Sequence, residues 1–260
     1  MNIFNIIDQI EKVDPEVYDR LDSRRNMFSK GSKFVGNLAL AAVPFALGSM
    51  FNKAYGKSDL ITDTLNFALT LEYLESEFYN EGVGALLLIP AGDKAIFNQI
   101  AKHENQHVSF LKAAITGAGG TPVAKPTFDF SGGSGSGTGP YANYNTNYQT
   151  FLALSQAFED TGVRAYKGQA GNLIASNDVL TAALQIHSVE ARHAAMVRRL
   201  RAQKGWITGN ETSGIVGVEA VYNGEENTNQ GGVTVSNTQA FDEPLSKETV
   251  TAIASLFIKP

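Results

Sequence analysis

The chain has 260 residues, 43% of them apolar, and a formal net charge of -5, which is enough for one well-buried core with extensions. It contains no cysteine, which excludes disulfides, thiolate zinc sites, iron-sulfur clusters and a rubredoxin-type iron centre and leaves any metal to His, Asp or Glu. No segment carries the dense Lys/Arg run that phosphate backbones require, so no nucleic-acid partner is expected.

Residues 1-56 differ from the rest. "SRRNMFSK", Ser23 to Lys30, precedes the moderately apolar run "FVGNLALAAVPFALGSMF", which contains Gly36, Asn37, Pro44 and Gly48. At about 18 residues the run is marginal for crossing a bilayer, and Asn37 with the helix breakers weakens it further. Arg24 and Arg25 before an apolar run resemble a twin-arginine export signal, with Ala54 and Gly56 as a weak cleavage site. The expectation is therefore an exported protein, periplasmic or at the cell surface. The alternative is a retained N-terminal arm that packs on the body or on a neighbouring subunit.

From Ser58 onward apolar residues recur at helical spacing, and four runs emerge. The first covers about 59 to 81, capped by Ser58 and closed by Gly82. The second begins after Pro90, with Asp93 in its first turn, and reaches about 115. The third covers about 147 to 167. The fourth covers about 178 to 204, with Ser176 or Asn177 as cap and Gly205 as terminator. Between the second and third lies "GAGGTPVAKPTFDFSGGSGSGTGPYANYN", too long for a hairpin loop and without the G-x-x-x-x-G-K-[ST] pattern of a phosphate loop. It reads as a flexible crossover that lets helix three start beside the same end as helix one. The fold class is all-α. The domains are 1-56 as signal or arm, 57-206 as a four-helix bundle, and 207-260 as a C-terminal extension with a short terminal helix.

The third and fourth runs repeat the first and second. Glu72 is followed seven residues later by Tyr79, and Glu159 seven residues later by Tyr166. Glu104 and His107 stand 32 and 35 residues after Glu72; Glu190 and His193 stand 31 and 34 after Glu159. With 15 glutamates and four histidines in the chain, chance supplies roughly 0.2 Glu-x-x-His pairs. Two pairs in register with a second repeated Glu are much rarer. Residues at i and i+3 share a helix face, so each Glu-x-x-His aims two groups at one level of the interior, and Glu72 and Glu159 supply the other two helices. Glu75, one turn from Glu72, is an additional candidate, although Gly162 holds the matching place in the repeat.

Residues 103 to 107, "HENQH", also fit the His-Glu-x-x-His pattern of a zinc metalloprotease. That reading uses His103, which has no counterpart in the fourth run, where Val189 precedes Glu190. Four buried carboxylates repel one another, and two divalent cations bring their charge to zero. Oxygen and imidazole donors suit iron or manganese, with zinc as a further choice. Tyr79 and Tyr166 are candidates to hydrogen-bond the ligands or carry redox equivalents, against the plainer role of core aromatics.

The series "LNFALTLEYLESEFYNEG … AKHENQH … FED … VEARH" resembles the ferritin-like superfamily over about residues 58 to 206. It is most similar to the branch of bacterial ferritin-like-domain proteins and plant desiccation-related proteins. The resemblance implies a ferritin-like four-helix bundle whose two-metal centre is held by Glu72, Glu104, His107, Glu159, Glu190 and His193. It further implies oxidation of iron or reduction of oxygen or peroxide in stress protection. The rival expectation is a non-catalytic structural or desiccation-related assembly protein. A homo-oligomer through the arm or tail is compatible with either. A 24-subunit storage cage is not expected, because the long crossover and the tail would lie on the packing surfaces.

Overall fold

The computed structural model describes residues 59-260. The expected cap at Ser58 and the expected export signal lie outside the described residues. Four long helices form the body: α1 (Asp59–Gly84), α2 (Lys94–Gly117), α3 (Tyr148–Gln169) and α4 (Asn177–Leu200). One 3-10 turn, Ala170–Leu173, joins α3 to α4. The extension contributes the single turn α5 (Glu219–Tyr222), a small antiparallel ribbon of β1 (Asn229–Gln230) and β2 (Val233–Thr234), and α6 (Lys247–Ser255).

Local chemistry accounts for most of the helix starts. The side chain of Asn147 accepts from the Thr150 amide, Ser176 from Val179 and Ser246 from Thr249, each satisfying an amide left without a helical partner. Asp93 sits at the N-cap of α2 without a side-chain cap and instead accepts from the Tyr148 hydroxyl at 2.7 Å. Two helix ends depart from the sequence expectation. α1 runs through Gly82 to Gly84, because Gly82 is a packing position: a Cβ there would stand 2.2 Å from Cε2 of Phe151. α4 stops at Leu200, before Gly205, because Ala202 turns left-handed (φ 57°) while the Gln203 amide folds back on the Arg198 carbonyl at 2.9 Å.

The crossover climbs along α1. Asn66 binds the carbonyl of Thr121 and the amide of Val123, Glu77 pairs with Lys125, and Glu81 accepts from Tyr144. The chain therefore enters α3 beside the C-terminal end of α1, with Phe151 against Gly82. This corrects the expected placement beside the start of helix one. α3 is antiparallel to α1, as the pairs Tyr79 with Glu159 and Tyr166 with Glu72 require.

Nor is the Gly/Ser-rich segment a loose connection. It wraps the carboxylate of Asp129, which accepts from the amides of Ser131 (3.1 Å), Gly135 (2.8 Å) and Gly137 (3.0 Å). The left-handed turns at Gly135 and Gly137 (φ 98° and 70°) let those amides converge. Burial pushes the carboxyl of Asp129 up, but Ser131 and the converging amides outweigh it and hold it at about 2.

The C-terminus then pins this loop. The Asp129 amide donates to the Phe257 carbonyl, Lys259 to Thr127 and Ser134 to Leu256.

The extension is docked through two buried arginines. Arg164 of α3 pairs with Glu225 (2.8 Å) and donates to the carbonyls of Val221, Asn223 and Glu243. Arg198 of α4 pairs with Asp160, whose carboxylate also accepts from the hydroxyl of Tyr222 at 2.7 Å. Phe78 stacks on Phe151 (4.8 Å between centroids) and meets Phe158 edge-on, and Phe257 of the tail meets Phe158 edge-on at 4.8 Å. The bundle and the tail thus share one core, each buried aromatic contributing roughly 1.5–3 kcal/mol. Among the described residues no helix is long and apolar enough to cross a membrane.

Candidate metal centre

Halfway along the bundle the apolar interior gives way to carboxylates. Glu72, Glu104, Glu159 and Glu190 are each fully shielded from solvent, and His107 and His193 are buried beside them. All six residues named by the repeat come together. They form two overlapping groups, Glu72, Glu104, His107 and Glu190, and Glu104, Glu159, Glu190 and His193, each with its potential ligand atoms within 4.8 Å of one another. Glu104 and Glu190 belong to both.

The distances show how the groups share these carboxylates. Nδ1 of His107 faces oxygens of Glu104 (3.0 Å), Glu72 (3.1 Å) and Glu190 (3.1 Å). Nδ1 of His193 faces the other oxygen of Glu104 (2.9 Å) and Oε2 of Glu159 (3.4 Å). A single N–H cannot satisfy three acceptors. Several buried atoms have no hydrogen-bond partner at all: Oε1 of Glu104, Oε2 of Glu159, both oxygens of Glu190 and Nδ1 of His193. Native interiors leave only a few such atoms scattered through a domain, whereas here they gather in one site. Two overlapping groups of carboxylate and imidazole donors with unpaired atoms could hold metal ions.

Electrostatics agree. Burial raises the carboxyl of Glu72 to about 7 against the pull of His107, and that of Glu190 to about 8, with the charge on Glu72 adding to the rise. Burial also raises Glu159. Burial alone would lower the two imidazoles. The nearby carboxylates of Glu159 and Glu104 nonetheless hold His193 up at about 11, and those of Glu104, Glu190 and Glu72 raise His107 as well. Without a cation the site retains protons on both kinds of group because like charges are crowded in a medium of low polarity.

The two tyrosines cross-brace the site. Tyr79 of α1 donates to Oε1 of Glu159 on α3, and Tyr166 of α3 donates to Oε1 of Glu72 on α1, both at 2.5 Å. Each hydroxyl leaves the second carboxylate oxygen of its partner turned toward the imidazoles. Burial, with the nearby carboxylates of Glu159 and Glu72 respectively, pushes both phenols well above their usual range. They therefore act as donors.

Glu75 breaks the twofold pattern. It is buried, and its carboxyl is pushed well above the ordinary range by burial and by Glu190 and Glu159. A Cβ on Gly162 would lie 3.2 Å from Oε1 of Glu75 and 3.3 Å from Oε2 of Glu190. The missing side chain at Gly162 is the room that Glu75 and Glu190 occupy. Glu75 is in neither four-residue group.

The zinc-protease arrangement is not formed. His103 belongs to neither group; its Nδ1 stands 2.9 Å from Nε2 of His193, on the side away from the carboxylates. Glu104, the general base in that reading, is instead the carboxylate shared between both imidazoles. Residues 103, 104 and 107 all fall near one helix face; helix packing turns Glu104 and His107 to the carboxylates and leaves His103 behind the ring of His193. His187 is likewise in neither group. Sequence reasoning missed Gln99, whose amide lies 2.7 Å from Nε2 of His103; its only signal is its place four residues before His103, on the same helix face.

A family model described as a ferritin-like domain matches residues 61–203, the span that holds all six residues. A comparison with curated proteins finds no match.

Proposed function

Because the chain belongs to the ferritin-like domain family, we propose that it holds two iron or manganese ions in the core of its bundle. Their use would be in oxidising iron or reducing oxygen or peroxide, as part of stress protection. The observation that carries this reading is the sharing of Glu104, one oxygen toward each imidazole, with unpartnered oxygens of Glu159 and Glu190 beside it. Glu72 and His107 would help to hold one ion and Glu159 and His193 the other, with Glu104 and Glu190, members of both groups, available to either. Glu75 stands as a reserve carboxylate next to Glu190.

When bound, such a pair supplies two linked one-electron carriers and a Lewis-acidic surface for a small oxidant. The chain's own part is preorganisation. Tyr79 and Tyr166 fix the rotamers of Glu159 and Glu72 by donating to one oxygen of each, so these carboxylates need not reorganise. Phe78, Phe97 and Phe151 pack around the ring of Tyr79, and Leu69, Leu111 and Ile115 are buried in the same core. Burial and the charges of Glu190 and Glu159 push the carboxyl of Glu75 well above its ordinary range, beside Glu190 in the room left by Gly162.

We read this activity as lying outside the cytoplasm, a reading supported by Arg24 and Arg25 ahead of an apolar run in the sequence. Metal analysis of the purified full-length chain tests the proposal. Two iron or manganese ions per chain support it; none, in protein purified without chelators and reconstituted with ferrous or manganous salt, would leave a structural bundle instead.

A further inference from the structure

We propose that Gln99 and His103 form a hydrogen-bond relay that sets the tautomer of His193, making the two ion positions unequal in affinity. The inference rests on the two-metal reading above. It starts from an asymmetry: six groups of the centre obey the repeat, but His103 does not. Its counterpart is Val189, which can neither donate nor accept a hydrogen bond, so His193 has an imidazole partner that the pseudo-twofold relation denies to His107.

The relay is continuous. Gln99 reaches Nε2 of His103 at 2.7 Å, and Nδ1 of His103 reaches Nε2 of His193 at 2.9 Å. The two rings lie within 14° of parallel, with centroids 5.2 Å apart. Beyond them, Nδ1 of His193 faces Glu104 and Glu159. The form of His193 that can take a cation is the neutral imidazole, in which one nitrogen donates and the other accepts, so in that form the direction of the first bond dictates all the others.

With the amide nitrogen of Gln99 donating, the proton of His103 sits on Nδ1 and points at Nε2 of His193. The proton of His193 is then on Nδ1, pointing at Glu104, and that atom has no lone pair for a cation. A half-turn of the Gln99 amide reverses the sequence. Oε1 accepts from Nε2 of His103, Nδ1 of His103 accepts from Nε2 of His193, and Nδ1 of His193 presents its lone pair to the centre. Gln99 is exposed, so the amide can turn without disturbing the core. Val189, in the matching place, offers His107 no such control, and that position should be insensitive to the relay.

The test uses the full chain, stripped of metal and titrated calorimetrically with zinc, a redox-silent ion that accepts oxygen and imidazole donors. High salt screens the charge introduced by substitution. Gln99→Glu can only accept and should keep the wild-type isotherm or tighten it. Gln99→Lys can only donate, and His103→Val copies the second half of the repeat. Both should weaken one of the two zinc-binding steps by roughly 10- to 100-fold, the usual cost of losing such a partner, while leaving the other step and the far-ultraviolet circular dichroism unchanged. His103→Gln, which can still accept from His193, should recover most of the loss.

Nitrogen-15 spectra of the four histidines add a readout that a packing role would not move. The zinc-loaded wild type should show His193 protonated at Nε2. Wild-type isotherms in both Gln99→Lys and His103→Val overturn the relay but leave the two-metal reading standing. A wild type that binds no zinc, iron or manganese overturns both.

Discussion

Removing metal should make stability fall steeply with pH. In the unfolded chain Glu72 and Glu190 ionise near 4.5, whereas in the metal-free fold burial and mutual repulsion hold them at about 7 and about 8. Between pH 4.5 and 7 the native state binds more protons than the unfolded one through both groups. Stability must then decline as pH rises, by about 1.4 kcal/mol per pH unit per group. His193, held at about 11 against 6.5, contributes with the same sign from pH 6.5 upward. All of this stability is present at acid pH and is lost in sequence as pH passes 7, 8 and 11.

Cations reverse the slope, since they replace the protons and bind more tightly as those protons leave. At a thousandfold excess over the dissociation constant they add about 4 kcal/mol. For a chain of this size that is about 8–16 °C in melting temperature. Scanning calorimetry with and without chelator should therefore show a large drop at pH 8 and a small one at pH 5. Glu104→Gln with Glu190→Gln should shrink the drop while the helices persist. A protein verified as metal-loaded that melts identically with chelator at pH 8 would refute the buried two-ion site. So would a stripped protein that gains stability from pH 5 to pH 8.

Arg198→Ala strands the carboxylate of Asp160 in the core and should cost about 3–5 kcal/mol in urea unfolding; an unchanged midpoint would mean that the pair contributes no net stability. Gly168→Ala places a Cβ 1.9 Å from the carbonyl oxygen of Leu245, which is backbone and cannot swing aside. It should lose about 1–3 kcal/mol and open residues 207-260 to limited proteolysis, and a protease-resistant variant would contradict that packing. Replacing Arg24 and Arg25 together by Lys should retain the protein inside the cell, and unchanged secretion removes the export proposal. Size-exclusion chromatography should give a small assembly, not a 24-subunit shell with an iron core.

The four helices and the six converging residues were legible in the sequence because both depend on periodicity. A helix repeats every 3.6 residues, so an apolar stripe marks the buried face, and a Glu-x-x-His interrupting that stripe marks a buried polar site. The duplicated spacing then separated Glu104 and His107 from the overlapping His-Glu-x-x-His pattern. Glu75 was visible only as an oddity, because the room that admits it is made by Gly162 on another helix.

What the sequence could not determine depends on contacts between segments far apart in the chain. The Gly/Ser-rich crossover reads as flexible from composition, yet Asp129 gathers its amides and the C-terminus bonds to its edge. The end of α1 at which α3 begins depends on the path of that crossover, which local propensity does not encode. A tail rich in Asn and Gly gives no sign of being docked, since Arg164 and Arg198 find Glu225, Asp160 and the carbonyls of the extension only after the chain has folded. The sequence alone determined which residues face the bundle axis, because helical phase is a local property of the backbone. Only the tertiary structure decided which carboxylate spans both imidazoles, which tyrosine holds which glutamate and what stands behind His193, because side-chain partnership is fixed by the packing of one helix against another.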